Sequence, residues 1–189
     1  MTLEDSVNEV LRKIGRNMVL FQQLEQLLKF IVANGRISGY ASELENIKAK
    51  QVARINNQTM GQLVGQYIES ANPDNGENSS EPEEITEAYI SFNFRIDSDS
   101  VFYETKKEGL ARLVSERNEL VHHLLPRFDT SSAKSCKELG KKLDDQSEMI
   151  RKEILETKAI ANALHEVRKE LAIFLNSDEG KKQFELSFL

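Results

Sequence analysis

The sequence predicts an all-α fold, and three observations carry that expectation. Apolar residues recur at spacings of three and four along most of the chain. Three prolines and nine glycines in 189 residues leave little turn chemistry for an all-β architecture. No apolar run approaches the roughly 20 residues that a bilayer span requires. The length suits a single domain, residues 1–189, with room for an insertion and a buried core.

The first helix is expected from about Leu3 to Asn34, where Leu3, Val7, Val10, Leu11, Ile14, Met18, Phe21, Leu24, Leu28 and Ile31 form one stripe. Thr2 offers a hydroxyl to the orphan amides of its first turn, and Gly35 offers a left-handed C-cap. Such a helix is roughly 50 Å long, enough to run the length of a bundle. GRISGYAS then reads as a loop, followed by helices from about Ser42 to Asn56 and from Thr59 to Ser70. On the second of these, Met60, Leu63, Val64, Tyr67 and Ile68 share one side.

Asn72 to Glu84 holds two prolines and no large apolar residue, so it reads as a flexible linker. Beyond it, Ile90, Phe92, Phe94 and Ile96 alternate with polar residues at the period of a half-buried strand. DSDS then offers a turn into Val101, Phe102 and Tyr103, which predicts a short β-hairpin and an insertion spanning 72–104. Helical period returns from Lys106 to Leu125, where Pro126 is expected to stop it. The last long helix is expected from about Ser131 to Leu175, with the tail QFELSFL either docked or loose.

Charge is unevenly placed. The chain carries −6 overall, which argues against a polyanionic partner. Nine acidic residues against Arg95 alone make 72–104 −8, however, so the rest of the chain is +2 and electrostatics do not exclude RNA. The acidic segment is expected to compete with RNA for basic residues. Lys134, Lys137 and Lys141, with Lys142 beside them, form a basic face that is either a phosphate contact or simply solvated.

Several chemistries lack their minimum residues. No phosphate loop, dinucleotide fingerprint, zinc-protease helix or nucleophile elbow is present. Cys136 has no partner for a disulfide or a cysteine-rich zinc site. The acidic, polar N-terminus lacks the pattern of a signal peptide, and a cytoplasmic location with no membrane partner is expected. No metal and no cofactor are expected.

One helix violates its own pattern. At about 100° per residue, Leu110, Leu113, Val114, Leu120, Val121 and Leu124 surround Arg117, which falls at the centre of the apolar face. A buried guanidinium must pair with a carboxylate, reach a cleft or meet an anion. Asn118 and His122 flank the same edge, while His123 faces the other way on this projection. An imidazole, with its ordinary pKa of about 6.5, can take a proton from a ribose 2′-hydroxyl, and a guanidinium can neutralise charge growing on the phosphate. The plainer reading is an arginine satisfied by a buried acid, with the histidines merely at a helix end. Arg16 and Asn17 repeat the Arg-Asn pair on the first helix without a following histidine and read as structural.

ERNELVHH, Glu116 to His123, resembles the signature of HEPN domains, an Arg, a polar residue and a His after four to six intervening positions. LFQQLEQLLKFI resembles the opening helix of the same family. The resemblance implies a HEPN-like helical bundle with long N- and C-terminal helices. It also implies a homodimer whose Arg/His motifs meet across a shared cleft, and a metal-independent endoribonuclease of toxin or anti-phage type. In those roles Arg117 would hold the phosphate, His122 would act as base, Asn118 would position them, and His123 would be the alternative base. RNA and an antitoxin or defence partner are the implied partners. The Tyr that some family toxins carry two residues past the His is replaced here by Leu124 or Leu125, which argues against silencing by nucleotidylation. A non-catalytic helical module binding nucleotide, RNA or protein through the same cleft is the alternative.

Overall fold

A computed structural model describes residues 2–72 and 87–186, and within them the chain is mainly helical with one two-stranded sheet. α1 (Leu3–Asn34) begins as expected. The Thr2 hydroxyl accepts from the Asp5 amide, and the Asp5 carboxylate accepts from the Thr2 amide, which closes a capping box. Gly35 ends this helix in the right-handed region (φ −73°), so the expected left-handed cap is corrected. Its amide instead reaches back to the Ile31 carbonyl, which satisfies an orphan acceptor without a change of hand.

The segment read as a loop is β1 (Arg36–Tyr40). It pairs antiparallel with β2 (Tyr89–Asn93), Arg36 opposite Asn93 and Tyr40 opposite Tyr89, whose rings meet edge-on at 5.5 Å. The predicted hairpin is therefore wrong in its partner. DSDS is no turn: the Asp99 carboxylate accepts from the Phe102 amide at 2.7 Å and caps α4 (Ser100–Asn118), so Val101 to Tyr103 are helical. Gly39 lies at φ +157°, and a Cβ there would fall 2.5 Å from Ile47 Cδ1 of α2 (Leu44–Asn56). Glycine lets α2 close over the strand at that point. α3 (Met60–Ser70) starts in a second capping box, Thr59 with Gln62, and buries the five apolar residues expected of it. The expected linker, apart from Asn72, lies outside the described residues.

α4 does not stop at Pro126. It passes into a π-helical turn, Glu119–His123, and then α5 (Leu124–Arg127). Pro126 is the third residue of α5, and the helix outlasts it by Arg127 alone. α6 (Ala133–Asn176) matches the expected last helix, and α7 (Asp178–Leu186) takes up most of the tail; 187–189 lie outside the described residues.

α1 and α6 run parallel and form the spine. Lys13 reaches Gly140 and Asp144, Asn17 reaches Leu143 and Gln146, and Asn34 meets Arg168, so the register holds over most of α1. α4 runs antiparallel to α6, with Lys106 against Glu153 and Glu156 and Glu116 against Gln146. The core between them gathers Leu24, Leu28, Leu63, Tyr67, Leu110, Ile150 and Leu164, each essentially sealed from solvent. No helix among the described residues is long and apolar enough to cross a membrane.

Candidate functional site

The core-facing stripe of α4 consists of Lys106, Leu110, Leu113, Arg117 and Leu120, so two cations stand among three leucines. Lys106 is buried and neutralised, its Nζ 2.6 Å from Glu153 and 2.7 Å from Glu156 of α6. Thr157 donates to Glu153 and completes the cluster. Burial and these two carboxylates push the nearby Tyr67 phenol well above its ordinary range, so it stays protonated. Sequence periodicity singled out only one cation on this stripe; Lys106 was missed because its carboxylates come from a helix fifty residues away.

Arg117 is half-buried and forms no ion pair among the described residues. Its Nη1 donates to the Asn118 side-chain oxygen at 3.2 Å. The nearest carboxylate in sequence, Glu116, accepts instead from Arg112 and from Gln146. Arg117 lines an open groove of about 890 Å³ between α1 and α6. Gln22, Gln23, Gln26 and Glu25, the last ion-paired to Lys29 at 2.8 Å, line the same groove from α1, and Lys158 lines it from α6. These amides and the second cation were missed in the sequence. The signal for the glutamines was present in LFQQLEQLL, where polar residues recur within a face bounded by buried leucines.

The π turn changes the projection on which the histidines were placed. Bonding from residue i to i+5 widens this turn, so a uniform 100° per residue no longer describes where His122 and His123 project. The projection that sets His123 on the opposite side assumes a uniform α-helix, which this turn is not. Both rings are exposed, edge-on to each other at 6.2 Å, and neither belongs to the lining of the Arg117 groove. Within one chain, then, Arg117 and Asn118 are brought together and the histidines are not part of the groove's lining. Val19 on the groove wall and Val121 and Leu125 beside the histidines are exposed apolar side chains.

Arg16 and Asn17 serve the spine. Asn17 is fully buried and donates to the Leu143 carbonyl and to Gln146, both at 2.8 Å. Arg16 reaches Leu143 and Asp144. Lys13 and Arg16 together hold the Asp144 carboxyl below its ordinary range, the Lys13 hydrogen bond being the larger cause. Lys134, Lys137 and Lys141 share one exposed face near the start of α6, and Lys142 stands on the wall of a separate cleft. Cys136 is buried, and His165 is exposed. Among the described residues, no three His, Cys, Asp or Glu side chains gather as they would around a metal ion. No family model matches the chain, and no curated protein or solved structure matches it either.

Proposed function

We propose that this chain is a metal-independent endoribonuclease of the HEPN type, built on ERNELVHH and acting as a homodimer. The observation that carries the proposal is the contrast on α4. Lys106 is matched by two carboxylates at 2.6 and 2.7 Å, whereas Arg117 on the same stripe opens into a groove and has no carboxylate partner among the described residues. A half-buried guanidinium left unneutralised beside amide side chains suits a phosphodiester, which supplies the missing anion. Lys158 adds a second positive charge, Glu25 on the same wall is met by Lys29, and the three glutamines can hydrogen-bond bases or ribose.

In this reading Arg117 neutralises the scissile phosphate, Asn118 holds the guanidinium, and a histidine of the π turn takes the proton of the attacking 2′-hydroxyl. His122 is the proposed base and His123 the alternative. A second copy apposed across the exposed valines would bring its own histidines over the groove, which is why the proposal includes the dimer. The proposed setting is a cytoplasmic toxin or anti-phage effector, with RNA as substrate and an antitoxin or defence protein as partner. Lys134, Lys137 and Lys141 are proposed to touch the RNA backbone.

The test is incubation of the purified chain with structured and single-stranded RNAs in EDTA. Cleavage leaving 2′,3′-cyclic phosphate or 3′-phosphate ends is expected, lost in Arg117→Ala and His122→Ala while circular dichroism stays unchanged. Intact RNA with the wild-type chain, or full cleavage by Arg117→Ala, overturns the proposal. The exposed position of both histidines outside the groove favours a second reading, a non-catalytic module that binds RNA, nucleotide or protein through Arg117. Binding without turnover, abolished by Arg117→Ala, selects it.

A further inference from the structure

The two strands of the sheet have unlike outer edges. The Phe94 amide donates to the Gly35 carbonyl at 2.7 Å and the Ala41 amide to the Ala88 carbonyl at 2.8 Å, which fixes the alternation of the ladder between them. Ile37 with Phe92 and Gly39 with Ile90 therefore exchange bonds inside the pair, whereas Tyr89, Ser91 and Asn93 of β2 turn their backbone groups outward. The outer edge of β1 is closed by α2. Gln51 donates to the Arg36 carbonyl at 3.1 Å, the Glu43 amide donates to the Tyr40 carbonyl at 2.9 Å, and Ile47 packs over Gly39. On β2, no group among the described residues bonds the outward amides and carbonyls of Tyr89, Ser91 and Asn93, and Ser91 and Asn93 are exposed.

An open edge is a template for another strand, and chains that keep such edges single protect them with lysine, proline or a bulge. β2, with the sequence YISFN, has no lysine or proline and pairs with β1 residue for residue. Laid antiparallel against itself about Ser91, it sets Ile90 against Phe92 and Tyr89 against Asn93 of the other copy, with Ser91 meeting Ser91. Ile90 and Phe92 lie on the half-buried face of the sheet, so the pairing makes an aliphatic–aromatic cross-strand contact twice. No charged residue falls between Ala88 and Phe94. The first charges beyond, Glu87 and Arg95, are opposite in sign and fall opposite each other in this register, so no like charges are set together. The outward groups of Tyr89, Ser91 and Asn93 all find partners, and a two-stranded sheet, marginal as an isolated unit, becomes a four-stranded one.

We infer that the outer edge of β2 is a docking surface for β2 of a second copy of this chain, paired antiparallel about a two-fold axis at Ser91. It is distinct from the Arg117 groove, which α1, α4 and α6 line without any residue of the sheet. A chain that also pairs across Val19 would carry two such two-fold contacts and assemble beyond a dimer. The inference therefore stands whether or not the chain cleaves RNA.

Sedimentation equilibrium of the full chain over a range of concentrations tests it. Ser91 is exposed and its amide points away from β1, so Ser91→Pro removes no bond of the existing ladder, while Ser91→Lys sets like charges directly opposite across the axis. Each change counts twice in a two-fold contact. Both variants are expected to weaken association by about tenfold or more and to halve the assembled mass, with circular dichroism unchanged. Cys136 is buried, so an introduced surface thiol reports the register. Oxidised with diamide, Ser91→Cys should become a covalent dimer, whereas Asn93→Cys, about 14 Å from its own copy in this pairing, should not. Val19→Lys, on the wall of the Arg117 groove, should leave the Ser91→Cys cross-link as it is. A wild-type chain that sediments as a monomer overturns the inference, as does a mass that neither Ser91→Pro nor Ser91→Lys lowers. Cross-linking of Asn93→Cys as readily as Ser91→Cys also overturns it.

Discussion

Lys106 and Arg117 stand eleven residues apart on the same stripe of α4, and only Lys106 meets carboxylates. Three helical turns separate them, so α4 presents both toward the core side while α6 supplies acids only at the first. Removing Lys106 leaves Glu153, nearly buried, with Thr157 but no cation. Lys106→Met is expected to cost about 3 kcal/mol or more in urea unfolding, the penalty of stranding one member of a buried pair. Arg117→Met breaks no ion pair among the described residues and should change stability by less than about 1 kcal/mol. Equal losses in the two variants would contradict the contrast on which the proposed function rests.

Asn17 joins α1 to α6 at a point where neither donor can reach water. Its amide nitrogen serves both the Leu143 carbonyl and Gln146, and Gln146 in turn donates to Glu116 beside Arg117. Asn17→Ala should destabilise by about 1–3 kcal/mol, the net worth of the two hydrogen bonds it removes. Equilibrium denaturation measures it, and the m-value should stay constant because the folded topology is unchanged.

The Asp144 clamp predicts an acid limb. A carboxyl held below its ordinary pKa stabilises the fold above its unfolded value, near 3.8, and loses that contribution as pH falls through the depressed folded value. Asp144 is so held by Lys13 first and Arg16 after it. Stability of the wild type should therefore fall more steeply below about pH 4 than that of Asp144→Asn. Thermal melts of both chains from pH 3 to pH 7 check this, and parallel curves would remove the clamp from the account.

The π turn makes a prediction that separates fold from function. A π turn holds one residue more than the α-helical turn it replaces, so deleting exposed Val121 should restore an α-helix and leave Leu124 in place. Helical content by circular dichroism should persist, while the histidines rotate relative to Arg117. Under the proposed function RNA cleavage disappears in this variant. Cleavage at the wild-type rate would show that the register set by the π turn has no part in the chemistry.

Legibility followed the range of the interactions. α1 was readable to the residue because its stripe, its Thr2 cap and its acidic first turn are all local. The strand of Ile90 and Phe92 was also visible, but its partner was not. Arg36–Tyr40 is short, contains Gly39 and pairs across some fifty residues, and the competing turn signal at DSDS was in fact a helix cap. The π turn left no mark in the apolar period, so the histidines were projected on the wrong geometry. Arg117 as an outlier was legible from spacing alone; that it opens into a groove with Gln22, Gln23, Gln26 and Lys158 was not.

By itself the sequence determined the helical class, the two long helices and the position of an arginine where a leucine belongs. These follow from the 3.6-residue period, which each helix carries within its own residues. Tertiary structure alone decided which cations are neutralised. Lys106 and Arg117 look alike along α4, and the difference between them lies in α6, whose antiparallel register sets Glu153 and Glu156 against Lys106 and leaves Arg117 facing a groove. Charge pairing between helices depends on distance in space, falling off within a few ångströms, and no local pattern encodes it.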